Sequence, residues 1–273
     1  MILGKCEQGS TCLNEWFCFF NSTLEENSME FTYDAYTIMI SELRRHGYQF
    51  ADYRDHDKYD KCVILRHDVD YSLEKAYQLA ALEYKLNVHS TYMILVSSGF
   101  YNIISKQTQE ILKDILKMGH HIGLHFDEAN YNTQDMDALK EYALEEVEVL
   151  KRWTGTDVAV ISMHRPSTAC LDADWDFSNQ GIINSYGKLF FKGFKYVSDS
   201  RMCWREPVMD YIKSDKFNRL HILTHAFWYN DAIESIQQKL EMFLQGSYKD
   251  RYNLLDNNFR NLEEYHLEKN KLD

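Results

Sequence analysis

Five apolar runs of strand length each end in ionisable side chains, and helix-patterned segments separate most of them. Residues 62–67 lead into Asp68-Val-Asp70, and residues 120–125 end on His125, with Asp127 and Glu128 behind it. Residues 158–163 lead to His164-Arg-Pro166, residues 196–198 to Asp199-Ser-Arg201, and residues 220–224 to His225. A further apolar run, 90–95, reads as a strand without such an ending. Helical spacing marks 33–46, the stretch capped by Ser72 with Leu73, Ala76, Tyr77, Ala80 and Tyr84, and 108–118 closed by Gly119. It returns in Met136, Leu139, Ala143, Val147 and Leu150. This alternation predicts an α/β chain, with six or seven parallel strands wrapped by helices as a barrel or an open sheet. Chemistry in such folds collects at the carboxyl ends of the strands, where these charges fall. Residues 164–194 read as irregular. Beyond 225, a helix carrying Ile233, Ile236, Leu240 and Phe243 is expected to stop at Gly246, and a last one to carry Leu255, Phe259 and Leu262.

Composition narrows the class. The chain has 273 residues, 45% of them hydrophobic, enough for a sizeable core and against a disordered chain. Residues 1–28 are polar and lack a period, so they read as an extension, and 29–273 read as one domain. No apolar run approaches the ~18 residues of a membrane span. The net charge of −12 excludes an ordinary nucleic-acid binder, which needs clustered cations. The usual nucleotide-phosphate loops are missing. Six cysteines, at 6, 12, 18, 62, 170 and 203, match no common zinc spacing. The amino terminus lacks the apolar stretch of a secretory signal, so free thiols and a cytoplasmic location are expected.

Within the polar strand ends, Asp68 and Asp70 are two apart and share a face if the strand persists. Two carboxylates so close resist joint ionisation unless a cation intervenes. A metal at Asp70 supplies one and leaves Asp68 as a base. His121 and His125 also share a face, but four strand residues separate them by ~13 Å, too far for one ion. His125, at the strand end, is the candidate ligand, while His120 and His121 read as packed structural residues. His164 adjoins His125 on the next strand. Asp70, His125 and His164 then make two imidazoles and a carboxylate, with positions open to water and substrate. His125-Phe-Asp127 with a distant His also has the spacing of an Fe(II) oxygenase triad, but those sites sit in antiparallel barrels.

These runs resemble the polysaccharide deacetylase family (NodB-like, carbohydrate esterase family 4). The carriers are Leu65-Arg-His-Asp-Val-Asp70, Gly119-His-His-Ile-Gly-Leu-His125, His164-Arg-Pro-Ser167 and Ile222-Leu-Thr-His225, in the family's order. The second is the most specific. Ile161-Ser-Met-His164 and Ser198-Asp-Ser-Arg201 with Trp204 resemble the divergent members found with O-antigen and capsule biosynthesis. The resemblance implies a distorted (β/α)7 barrel, one divalent ion, most simply zinc, and removal of an N-acyl group from a sugar. It implies Asp68 as base, His225 as acid, and Arg165 and Arg201 at the substrate; Trp204 and Trp228, with Trp175, fall near the same strand ends, where each ring either stacks on a sugar or, the more ordinary role, packs in the core. The family's second metal His falls on Ala129. His164, Asp127 or Glu128 replaces it, with His164 preferred, or the metal site is lost and the chain is a non-catalytic saccharide-binding protein. The Arg that positions the base is Arg165, Arg66 or Arg201.

Overall fold

The computed structural model describes residues 29–259, 262–265 and 267. The expected extension over 1–28 lies outside them. Contacts divide the chain into two units, one ending at Tyr229 and one starting at Asn230. The first unit contains α1 (Tyr33–Arg45), β1 (Gln49–Ala51), β2 (Cys62–Val69), α2 (Leu73–Lys85), β3 (Thr91–Ile94) and α3 (Lys106–Lys117). It continues with β4 (His121–Phe126), α4 (Met136–Thr154), β5 (Val160–Met163), α5 (Thr168–Ala173), β6 (Ile183–Asn184), α6 (Lys188–Lys192), β7 (Lys195–Ser198), α7 (Val208–Lys213) and β8 (Arg219–Thr224).

All the strand pairings are parallel. The strand order is β6-β5-β4-β3-β2-β8-β7, with β1 added on β2. Six interstrand steps would hold β6 and β7 about 29 Å apart in a flat sheet. Yet Tyr186, just past β6, and Tyr196, on β7, have ring centroids 6.4 Å apart. The sheet has therefore curled until its ends meet through aromatic side chains; no hydrogen-bonded ladder joins β6 to β7 among the described residues. This is the distorted (β/α)7 barrel that the family resemblance implies.

The period-2 alternation along β2 sets up the interior. Cys62 and Ile64 point inward and join Ala51, Tyr53, Met93, Val160, Phe190 and Phe194 in a buried plug. Arg66 and Asp68 continue the same face above it. His67 faces the other way, onto α1 and α2, where it meets Tyr36 and Glu83. Gly123 is required on β4: a Cβ there would lie 2.3 Å from Met93 Sδ and 2.9 Å from the Val160 carbonyl oxygen. That close packing sits two residues before His125 on the same face.

Three sequence readings are corrected. Residues 164–194 are not irregular: they hold α5, β6 and α6, elements too short to display a period. His121 is not packed; its side chain is half exposed and pairs with Asp52 at 3.4 Å. In the second unit, one helix, α8 (Ile236–Asn258), replaces the two expected. Gly246 does not end it, because it lacks the left-handed conformation that a terminating glycine adopts, and the turn continues through a Ser247 Oγ bond to the Phe243 carbonyl. The helix start is set by a capping box of Ser235 and Gln238. No helix among the described residues is long and apolar enough to cross a membrane. No disulfide links the described cysteines.

Candidate metal centre

Asp70 follows β2, His125 closes β4 and His164 follows β5, so three parallel strands deliver them to one end of the barrel. His125 Nε2 lies 3.3 Å from Asp70 Oδ1, His164 Nδ1 lies 3.5 Å from the same oxygen, and the two nitrogens are 3.2 Å apart. Ligands ~2.0–2.1 Å from a tetrahedral ion stand about 3.3–3.4 Å from one another. The three donors thus form a triangle of the size one such ion requires.

A further observation fits a cation. Asp70 Oδ1 is buried without a hydrogen-bond partner, which is costly unless something else satisfies it. Burial pushes the Asp70 carboxyl up, but the neighbouring His125 and His164 outweigh it and hold the group well below the usual carboxylate range. His125 Nδ1 is 2.7 Å from Ser162 Oγ, which is in turn within reach of the Leu124 carbonyl oxygen. With the Ser162 hydroxyl turned to that carbonyl, Nδ1 carries the proton and Nε2 presents its lone pair to the triangle.

The alternatives for the third donor are engaged elsewhere. Asp127 Oδ2 lies against Arg165 and is 3.9 Å from His164 Nε2, the ring nitrogen remote from the triangle. Glu128 accepts from the Ser167 backbone N–H and hydroxyl. Ala129 is at the surface in a 3₁₀ turn. The all-parallel sheet also removes the structural setting of the oxygenase reading.

Asp68 stands beside the triangle, its Oδ2 3.5 Å from His125 Nε2. Arg66 grips it with two parallel bonds, Nε to Oδ1 at 2.8 Å and the terminal nitrogen to Oδ2 at 2.7 Å. Burial would raise the Asp68 carboxyl; the adjacent guanidinium reverses this and keeps it below its ordinary value. Arg66 is itself fully buried, bonds Ser185 and lies over the Tyr186 ring at 4.8 Å. Of the three arginines offered as partner to the base, Arg66 is the one in contact. Beneath it, burial and then Arg66 push His221 down to about 3, so that ring is neutral, with Nδ1 3.4 Å from the Phe190 carbonyl oxygen and Nε2 2.7 Å from Tyr53 Oη.

At another corner, His225 Nε2 lies 3.8 Å from Asp70 Oδ2. Its Nδ1 is 2.6 Å from Asp199 Oδ1, and Asp199 also accepts from the His225 backbone N–H and from Tyr229 Oη. Burial works against a charged ring, but the Asp199 carboxylate prevails and pushes His225 up to about 9.

A cleft of about 970 Å³ opens over these groups, lined by Asp68, Asp70, His125, His164, His225 and by Arg165, Arg201 and Trp228. Trp204 and Trp175 are not on its wall. Trp204 stacks on Phe31, and Trp175 packs against Phe126 and Phe177. Three contributors escaped the sequence reading: the Asp199–His225 contact, Ser162, and the choice of Arg66. The signals existed, as a polar residue inside an apolar strand for Ser162 and the i, i+2 spacing on one face for Arg66 and Asp68.

A scan against protein-family models gives no match for the chain, nor does a search of the curated proteins. Solved structures do resemble it. The catalytic domain of a peptidoglycan N-acetylglucosamine deacetylase from Eubacterium rectale matches over 70% of this chain and 86% of its own, at 16% identity and a TM-score of 0.45. The chitin deacetylase from Colletotrichum lindemuthianum matches over 68% and 81%, at 15% identity and a TM-score of 0.43. A CE4 family pseudoenzyme from Bacillus anthracis matches over 70% and 62%, at 14% identity and a TM-score of 0.40, so this chain spans less than two thirds of that protein's length. At such identities the chemistry has to come from this chain's own side chains.

Proposed function

We propose that the protein is a metal-dependent hydrolase that removes an N-acyl group, most simply N-acetyl, from a sugar used in bacterial surface-polysaccharide synthesis. The observation that carries this is the donor triangle of Asp70, His125 and His164, with Asp68–Arg66 beside one corner and His225–Asp199 beside another. A divalent ion held by those three, zinc by their N/N/O chemistry, would polarise the acyl oxygen and acidify water.

The chain's own groups divide the proton traffic. Asp68, kept ionised by Arg66, accepts the proton of the attacking water. His225, kept protonated by Asp199, turns its Nε2 to the cleft and donates to the departing amine, which is a poor leaving group unless protonated. The intact Asp68 and His225 pair favours catalysis over a saccharide-binding role.

Elemental analysis before and after chelation, with amine release from N-acetylated sugars, tests the reading. About one equivalent of zinc and chelator-sensitive release are expected. His164→Ala should lower the metal content. Absence of metal after reconstitution would overturn the proposal.

A further inference from the structure

The cleft's volume, about 970 Å³, is at the upper end of the ~300–1,000 Å³ of small-molecule sites, and exceeds what one sugar ring fills. Its wall carries Arg165, Arg201 and Arg205, on a chain of net charge −12. The carboxylates of that wall are all engaged. Asp68 is held by Arg66, Asp70 belongs to the donor triangle with His125 and His164, Asp127 is held by Arg165, and Glu206 by Lys195 and Tyr211. Arg201 and Arg205 have no ion pair or hydrogen bond among the described residues. Two positive charges on this wall therefore stay uncompensated.

The backbone is also unusual here. Arg201 and Met202 are consecutive left-handed residues, with φ of 59° and 54°. Non-glycine residues rarely adopt this region and concentrate at functional loops when they do. On the same wall, Trp228 is only 4% exposed and its Nε1 has no acceptor. A buried N–H without a partner in a cleft wall is a place for a ligand oxygen.

We infer that Arg201 and Arg205 form an anion subsite for a phosphate or diphosphate attached to the sugar, with Trp228 Nε1 donating to a substrate oxygen. Two guanidinium forks match the charge and the paired oxygens of a phosphate better than the single charge of a sugar carboxylate. The inference rests on the deacetylase reading for the sugar and adds the group that the sugar is attached to. A nucleoside diphosphate and a prenyl diphosphate share this chemistry.

Calorimetric titration of the full chain tests it with four probes: a neutral methyl glycoside of an N-acetylhexosamine, the hexosamine 1-phosphate, and its nucleoside diphosphate and short prenyl diphosphate forms. The phosphorylated probes should bind at least about tenfold tighter than the glycoside, with the gap narrowing at high salt. The tighter of the two diphosphate forms identifies the carrier. In the Arg201→Gln/Arg205→Gln double variant the gap should shrink to about twofold, with metal content and Tm held. Equal binding of neutral and phosphorylated probes, or a preference that survives the double variant, would overturn the subsite. Amine release is scored separately. A phosphate preference without release supports the subsite and rejects the hydrolase, whereas release without preference rejects the subsite alone.

Discussion

β2 separates two clusters of histidines and carboxylates, one on each of its faces. On the outward face, Glu83 accepts from Tyr36 Oη at 2.6 Å, Ser90 Oγ at 2.6 Å and Tyr92 Oη at 2.8 Å, and lies 3.0 Å from His67 Nε2. His67 Nδ1 meets Thr224 Oγ1, and His120 is held between Ser90 and the Ala80 carbonyl. Burial would raise Glu83, but His67 outweighs it and the carboxyl sits at about 2. Among the described residues, every buried polar side-chain atom of this cluster has its partner. On the inward face the same residue types leave Asp70 Oδ1 unsatisfied beside open space, and Trp228 Nε1 on the same cleft wall is unsatisfied too. Histidine beside carboxylate is therefore not what marks a site. What marks it is unused polar capacity that faces a cleft; Glu146 Oε2, Trp175 Nε1 and Trp204 Nε1 also lack a partner but line no part of it.

Substitutions on the two faces should fail in opposite ways. The largest effect is expected at Asp68→Asn, where loss of the proton acceptor should cut amine release by about 10²–10⁴-fold. Metal content should stay at the wild-type level; wild-type turnover in this variant would remove Asp68 as the base. Glu83→Ala should do the reverse. It strands His67 and three hydroxyls, at a cost of about 3 kcal/mol, or a Tm lower by about 6–12 °C, while the folded fraction keeps its metal. Metal loss without a fall in Tm would break the comparison.

Ser162→Ala should weaken metal binding by about 10–100-fold in chelator competition, because His125 loses its orienting partner. Unchanged affinity would show that the Leu124–Ser162–His125 chain is packing only. For His225 the folded pKa is raised, to about 9. Its charge therefore contributes stability that is complete below the ordinary value near 6.5 and is lost as pH rises through about 9. Amine release should decline over the same alkaline limb. Asp199→Asn should move that limb down by about one unit or more, and an unmoved limb would detach His225 from the acid role. The smallest change is expected at His121→Ala. Its exposed pairing with Asp52 should be worth less than about 0.5 kcal/mol by denaturant titration.

Much of the barrel was legible in the chain. The long helices α1 to α4 and the strands β2 to β5 lie where the periodicity put them, within two or three residues. Their signals are local: an N-cap such as Ser72, a 3.6-residue apolar stripe, an apolar run bounded by turn residues. The two-residue β6, the three-residue β1 and the five-residue α6 are too short to repeat a period and are held by their neighbours instead.

The site divides along the same line. Sequence alone determined which side chains sit at strand ends and which share a face, since alternation along a strand is a property of the backbone. It put Asp68 with Asp70 and set His125 apart from His121. Tertiary structure decided which of these meet. The register that pairs His125 with Ser162, and the curling that brings Arg66 to Tyr186, join residues 37 and more apart in the chain. The pairing of β4 with β5 sets His164 beside His125, and that of β7 with β8 sets Asp199 beside His225. Such contacts depend on how far a sheet twists and where its edges stop, and that is set by packing across the whole barrel rather than by any local stretch.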